Sequence, residues 1–348
     1  MSIISIVDEE FSVTNNFMKD IHKELGESDF NQDVSGWLST GVLPLNKAIS
    51  GRYDGGIPMG RVTEISGLES TGKTLIAQMV MNETQKIGGL AVFLDYEHSF
   101  SISRARQVGM SDDANQWFYK QPENAEKGFE IAEFIAKKVR DNDKDIPVTI
   151  VFDSIAAMST QSEVEASYGN MNMNTHTSLA KFLATALKLL VPVISKTNVT
   201  ILFLNQIKDS PGKMFGPSTT TPGGKAMKYH ASVRIEIAKG KPIEENKEII
   251  GINARVKTIK NKVYAPFKEC EYRGSFTEGI DLVGTHIDYA AKIGLLGNSK
   301  GWVEWNGEKM RRADLTSILK SDKEQYEKFL ELFVDDEINP ETGEVVNA

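Results

Sequence analysis

The sequence predicts an α/β fold, a mostly parallel twisted sheet with helices on both faces. Two observations predict it. The segments "RVTEIS", "LAVFLDY", "VTIVFDS", "VTILFLNQ" and "SVRIEIA" are continuous or near-continuous apolar runs, as expected of strands buried on both faces. Helical stretches, "TLIAQMVMNETQK" and "GFEIAEFIAKKVRD", separate several of them, and repeated strand–helix–strand order gives parallel pairing. Such sheets bind ligands at the carboxyl ends of their strands.

Residues 1–34 are polar, with Phe11, Phe17, Met18, Ile21 and Leu25 at roughly helical spacing. They read as a short amphipathic arm that packs on the main domain or on a neighbouring copy. The strand–helix alternation then runs from Trp37 to about Thr285. Within it, "MFGPSTTTPGG" (residues 214–224) holds two prolines, three glycines and three consecutive threonines, with Lys213, Lys225 and Lys228 around it. A loop this long inside a compact domain is usually functional or disordered. After Thr285, "HIDYAAKIGLLG" reads as a helix closed by glycine and "GWVEWNGEKMRR" as a hairpin turning at Asn306-Gly307. "SDKEQYEKFLELF" reads as a capped amphipathic helix, so residues 286–334 form a small α/β module. The tail, 335–348, holds acid and no base; it reads first as a solvated end and second as a competitor for a DNA site.

Composition limits the function. The chain has 348 residues, 40% hydrophobic and 25% charged, enough for one large domain plus something smaller. Apolar runs such as "LLVPVI" are far too short to cross a bilayer, so no membrane partner is expected. The start, "MSIISIVDEEF", lacks the pattern of a signal peptide. Cys270 is the only cysteine, which excludes intrachain disulfides and multi-cysteine zinc sites. A reducing cytoplasm fits best. The net charge of −8 argues against a wholly basic nucleic-acid binder but not against a local basic groove.

The strongest motif is "GLESTGKT", G-x-x-x-x-G-K-T between a predicted strand and a predicted helix. Gly67, Leu68, Glu69, Ser70, Thr71 and Gly72 would wrap phosphates with backbone N–H groups. Lys73 would reach the β and γ oxygens, and the Thr74 hydroxyl would bind Mg²⁺. Asp153 ends "VTIVFD" and suits the same metal; its blander reading is a helix N-cap. A base to activate water must sit at this sheet edge, and Asp95 or Glu97, in "FLDYEHS", could serve; spacing alone does not choose. His98 reads as structural. Gln206 ends "ILFLNQ", where an amide can bond a γ-phosphate and report its presence to the basic loop that follows.

These residues carry a resemblance. "GLESTGKT", "FLDYEHS", "VFDSIAAM", "FLNQIK", "MFG…TTTPGGKAMKYHASVRIEI" and "RVKTIKNKVYAPFKECEY" are similar, in order and nearly in spacing, to the bacterial RecA recombinases across residues 35–285. "GLLGNSKGWVEWNGEKM" is similar more weakly, and the arm only in being short and helix-like. The divergent ends and short acidic start suit a bacteriophage-type member. The resemblance implies a RecA-type P-loop NTPase core with ATP and Mg²⁺ as cofactors. The implied activity is a DNA-stimulated ATPase that forms a helical filament on single-stranded DNA and exchanges strands with homologous duplex. Single-strand-binding and loader proteins are implied partners.

It also implies residue roles. Glu97, not Asp95, becomes the base and Gln206 the switch between nucleotide and DNA. Residues 163–178 become a first DNA loop, longer than the family pattern, and 208–224 a second. Lys213, Met214, Phe215, Gly223 and Gly224 become DNA contacts of the second loop, with Phe215 an apolar wedge or stacking face. Lys181 and Lys188 become basic positions on one face of the following helix, and Lys208 a basic position beside the second loop. Lys260 and Lys262, from "KTIKNK", would reach a neighbouring subunit's ATP, the trans equivalent of an arginine finger; on composition alone they are a solvated lysine face. Ser101 and Arg104 stand where the family has an acid and an adenine-stacking tyrosine, and Phe276 where it has another base-contacting tyrosine. A guanidinium can still stack on a base. Ala184 replaces a hydroxyl in the DNA helix. The competing readings are a ring-forming helicase or translocase of the same core, disfavoured by the short arm, and a non-hydrolysing ATP-bound mediator, disfavoured by intact Glu97, Lys73 and Gln206.

Overall fold

The computed structural model describes residues 17, 19–21, 23–24, 34–142, 145–166, 177–209, 219–245, 247–297 and 301–334, with the short strand pairs 337–338 and 345–346. The chain divides into two units, Met1–Val34 and Ser35–Ala348. In the first, the described residues between 17 and 24 are helical, as the spacing of Phe17 and Ile21 predicts; Phe11, Met18 and Leu25 lie outside the described residues.

The second unit is built on a nine-stranded sheet. Its strands are β1 (Val62–Gly67), β2 (Leu90–Asp95), β3 (Trp117–Lys120), β4 (Val148–Asp153), β5 (Val199–Gln206), β6 (Val233–Glu245), β7 (Glu248–Asn261), β8 (Glu269–Ser275) and β9 (Gly279–Ile280). The spatial order is β9-β8-β7-β6-β1-β5-β4-β2-β3. Pairing is parallel from β6 through β1, β5, β4 and β2 to β3. It is antiparallel from β6 outward to β9. The expected mostly parallel sheet is therefore present, extended on one side by a meander.

Helices α1 (Leu43–Ser50), α2 (Lys73–Lys86), α3 (Ile102–Gln107), α4 (Ala125–Asn142) and α5 (Ser178–Ile194) surround it. Side chains alternate across the pleat, so the central strands β1, β2, β4 and β5 feed two cores. Ile65, Phe93, Val151 and Leu202 pack with Ile76 and Val80 of α2 on one face. Val92, Ile150, Phe152 and Phe203 pack with Phe129 of α4 and Leu187 of α5 on the other. This is why those strands read as unbroken apolar runs.

Helix α6 (Leu282–Ile293) runs through position 285, where the core was expected to close, and ends at Gly294 in the left-handed conformation. Beyond it lie β10 (Trp302–Trp305), β11 (Glu308–Arg311), α7 (Arg312–Ser321) and α8 (Lys323–Leu330). The hairpin turns at Asn306 and Gly307, both with positive φ, as a two-residue type I′ connection requires. Asp322 caps α8 through the Gln325 N–H. A third core, Ile287, Trp305, Leu315 and Phe329 among its members, fills this region, with Leu43 and Tyr53 packed against it.

His286 sews the module to α1. Its Nε2 accepts the Leu43 N–H at 3.1 Å and its Nδ1 lies 2.7 Å from the Tyr326 hydroxyl. Accepting at Nε2 requires the neutral ring, and burial pushes its pKa down from 6.5 to about 4. The folded pKa lies below the unfolded one, so the unfolded chain takes up the proton first as pH falls. Stability present above 6.5 is then lost progressively toward 4, on the order of 3 kcal/mol. Urea unfolding of wild type and His286→Phe checks this. Their difference in stability should shrink from neutral pH to the acid end of that window; a constant difference contradicts it. Among the described residues no helix is long and apolar enough to cross a membrane.

Candidate functional site

The phosphate loop leaves β1 at Gly67 and enters α2 at Lys73. Ser70 has φ 57° and Gly72 φ 90°, and the first N–H groups of α2 have no acceptor within the helix. They have no side-chain cap, so the helix start is open to an anion. Glycine is required at both ends of the loop. A Cβ on Gly67 would lie 2.5 Å from the Ile237 carbonyl oxygen, and one on Gly72 would lie 2.8 Å from the Tyr272 hydroxyl. That hydroxyl donates to the Thr71 carbonyl at 2.7 Å, bracing the loop from β8. Lys73 Nζ donates to the carbonyls of Gly67 at 3.1 Å and Leu68 at 2.8 Å. Burial lowers its pKa, against the pull of Asp153, Glu97 and Glu69.

The Thr74 hydroxyl donates to Asp153 Oδ2 at 2.8 Å. Burial raises the Asp153 pKa to about 7, while the Thr74 bond opposes the shift. Asp153 is not a helix cap, because Ser154 holds that position before the single 3-10 turn Ile155–Ala157. A hydroxyl and a carboxylate are hard oxygen donors that fit Mg²⁺, which normally completes its shell with phosphate oxygens and water. No cluster of three His, Cys, Asp or Glu able to hold a metal ion is present among the described residues.

The two candidate bases separate clearly. Asp95 is 1% exposed and accepts from the Glu97 N–H at 3.0 Å, the Phe100 N–H at 3.1 Å and the Tyr119 hydroxyl at 3.0 Å. It braces the turn after β2 and does not line the pocket. Glu97 does, and its Oε1 accepts from Gln206 Nε2 at 3.0 Å and from the Ser154 hydroxyl. Two residues that would point the same way in an extended strand diverge because the strand ends at Asp95.

The pocket, about 520 Å³, runs from Lys73, Thr74, Asp153 and Gln206 to Ser101, Arg104 and Phe276. Ser101 caps α3 by accepting the Arg104 N–H. Arg104 and Phe276, the latter 54% exposed, both line the pocket. Lys260 and Lys262 do not line this pocket. Lys260 Nζ donates to the carbonyls of Lys228 at 2.6 Å and Tyr229 at 3.1 Å. Burial, and then Lys262 beside it, push its pKa down to about 8.

Lys181 and Lys188 are exposed on α5. Gly223 and Gly224 have φ 86° and 69°, and both lie against α5: added Cβ atoms would meet Leu183 at 2.8 Å and Ala180 at 3.1 Å. Close packing on the helix is thus one reason for those glycines. Lys208 pairs in antiparallel register with Thr220 at the base of the second loop. Lys213, Met214 and Phe215, and residues 167–176 of the first loop, lie outside the described residues. Sequence reasoning missed Tyr272 and Ser154. "VFDSIAAM" contained Ser154 beside Asp153, but nothing local marked Tyr272.

A family model described as the RecA N-terminal domain matches residues 7–281. The curated "Protein RecA" of Bacteroides thetaiotaomicron is 37% identical over 328 residues, 94% of this chain and 94% of that protein. That of Chlorobaculum tepidum is 39% identical over 288 residues, covering 82% of this chain and 79% of the relative. That of Ruminococcus albus is 37% identical over 273 residues, 78% of this chain and 65% of the relative. These relatives are bacterial and lend nothing to the expectation of a bacteriophage-type member.

Proposed function

The chain belongs to the RecA family, and from that premise we propose that it is an ATP-dependent DNA recombinase. It forms a helical filament on single-stranded DNA, pairs it with homologous duplex and hydrolyses ATP to ADP and phosphate when DNA is bound. Family membership does not favour the ring-forming helicase or the non-hydrolysing mediator. Residues 1–34 serve as an oligomerisation arm, 35–285 as the ATPase core, 286–334 as an accessory module and 335–348 as an acidic tail. The setting is the bacterial cytoplasm, with single-strand-binding and loader proteins as candidate partners.

The carrying observation is the 3.0 Å contact between Gln206 and Glu97. One side chain faces the phosphate pocket; the other ends the strand that leads into the second loop. Residues 67–74 with Lys73 would hold the phosphates, Arg104 and Phe276 the base, and Thr74 with Asp153 the Mg²⁺. Bound Mg²⁺ supplies positive charge against the phosphate oxygens. Glu97 takes the proton from the attacking water, and the Ser154 bond fixes the carboxylate that does so. Gln206 cannot serve Glu97 and a γ-phosphate oxygen with the same geometry, so its position reports the nucleotide to the loop. ATP turnover with and without single-stranded DNA, with electron microscopy for filament or ring, tests the proposal. Unstimulated turnover with closed rings would overturn it.

Affinity for single-stranded DNA should fall steeply with salt, since lysines displace counterions from phosphates. Lys181→Ala and Lys208→Ala should each weaken binding and reduce the slope of log K against log salt by about 0.7. Phe215→Ala should leave that slope intact and impair strand exchange, because its contribution is apolar. Equal slope changes in all three variants contradict this division.

A further inference from the structure

Strand β5 ends in two amides that face opposite sides of the sheet. Gln206 reaches Glu97. Asn205 is fully buried, and its Nδ2 donates to Glu64 Oε1 at 2.9 Å and to the Pro222 carbonyl at 3.1 Å. Glu64 Oε2 in turn accepts from Arg234 Nε at 2.5 Å, with side chains 0% and 9% exposed. Glu64 and Arg234 are direct partners across β1 and β6, and Arg234 is the direct partner of Lys260 across β6 and β7. Pro222 immediately precedes the two glycines packed on α5.

A buried ion pair is a poor device for stability, because an apolar set of the same shape often holds as well. This one is placed where three parts of the proposed machinery meet. The Asn205 side chain ties the end of the 208–224 segment to β1. Its backbone is continuous with Gln206, and the carboxylate it bonds also holds the arginine paired with Lys260. Asn205 Oδ1 is buried without a partner among the described residues. The amide is therefore one bond short in this arrangement, and a shifted arrangement that gives Oδ1 a donor loses little there.

We propose that Asn205, anchored by the Glu64–Arg234 pair, is the positioning residue that couples DNA engagement by the 208–224 segment to the ATP site. Movement of the segment's end relative to β1 must act on this amide, and a displaced Asn205 carries the Gln206 peptide with it. The inference rests on the DNA-stimulated ATPase reading. It adds a residue that touches neither nucleotide nor water.

The test measures ATP turnover of the full chain with and without oligo(dT). Asn205→Ala should keep its KM for ATP and its DNA-free turnover within about twofold of wild type. Its stimulation by oligo(dT) should fall about tenfold or more. The salt slope of oligo(dT) binding should not change, since no phosphate contact is removed. Asn205→Asp preserves the shape but cannot donate to Glu64, and it should lose stimulation likewise; it decides the matter if the alanine variant does not fold. Stimulation within about twofold of wild type in a folded variant overturns the proposal. So does DNA-free turnover that falls in step with stimulated turnover, because that is a damaged site rather than lost coupling. A wild type that oligo(dT) does not stimulate overturns the recombinase reading and this inference with it, and that failure shows in the wild type alone.

Discussion

Glu97→Gln keeps ATP and DNA binding while turnover falls by about 100- to 10,000-fold, the usual contribution of a positioned general base. The amide preserves the shape and can still meet Ser154 and Gln206, but it cannot accept a proton from water. Arrested before hydrolysis, the variant should hold single-stranded DNA longer than wild type. Asp95→Asn is the contrast. Asp95 does not line the pocket and accepts three hydrogen bonds, and its amide can serve only part of that set. The expected loss is in stability, about 1–3 kcal/mol, with turnover lowered only as far as the turn carrying Glu97 loosens. Steady-state turnover, DNA dissociation and thermal unfolding of the two variants check this. Near-normal turnover in Glu97→Gln would remove Glu97 from the base role.

What could be read in the sequence was whatever a contiguous segment encodes. The parallel strands declared themselves because both their faces are buried. The phosphate loop declared itself because glycine, lysine and threonine at fixed offsets between a strand and a helix have few other uses. Asp153 and Gln206 were found by the same logic, as polar residues at the tips of apolar strands. Spacing did not choose between Asp95 and Glu97; the resemblance did, and the end of β2 at Asp95 is why only Glu97 lines the pocket. Ser154, Tyr272 and the Glu64–Arg234–Asn205 set needed strand register. Tyr272 braces a loop 201 residues earlier in the chain, and Arg234 meets a glutamate 170 residues away. Periodicity carries no information about such pairs. The basic loop was conspicuous through its composition, yet the reason Gly223 and Gly224 are glycines lies partly in the neighbouring α5, a packing fact invisible in a list of turn-forming residues.

The second large effect concerns where the active site is completed. Lys73, Thr74, Asp153, Glu97 and Gln206 line the pocket, and no residue of "KTIKNK" does. Charge that develops on the transferred phosphoryl group needs cations on its open side, and Lys260 and Lys262 of an adjoining protomer would supply them. Lys260, with a pKa lowered to about 8, would recover its full charge beside phosphate oxygens, since an anion favours the protonated ammonium. Hydrolysis would then depend on assembly, which explains how filament formation on DNA switches it on. Lys73→Ala and the double variant Lys260→Ala/Lys262→Ala should each lose about 1,000-fold or more in turnover, the scale of a trans cation in phosphoryl transfer. Mixed on single-stranded DNA, they should regain activity. A junction that joins the intact phosphate loop of the second to the intact lysines of the first rebuilds one whole site. Recovered turnover should peak near equal proportions and vanish at either extreme. Co-assembly, followed by a fluorescent label on each variant, with no recovery at any ratio would show that the lysines act within their own chain or not at all.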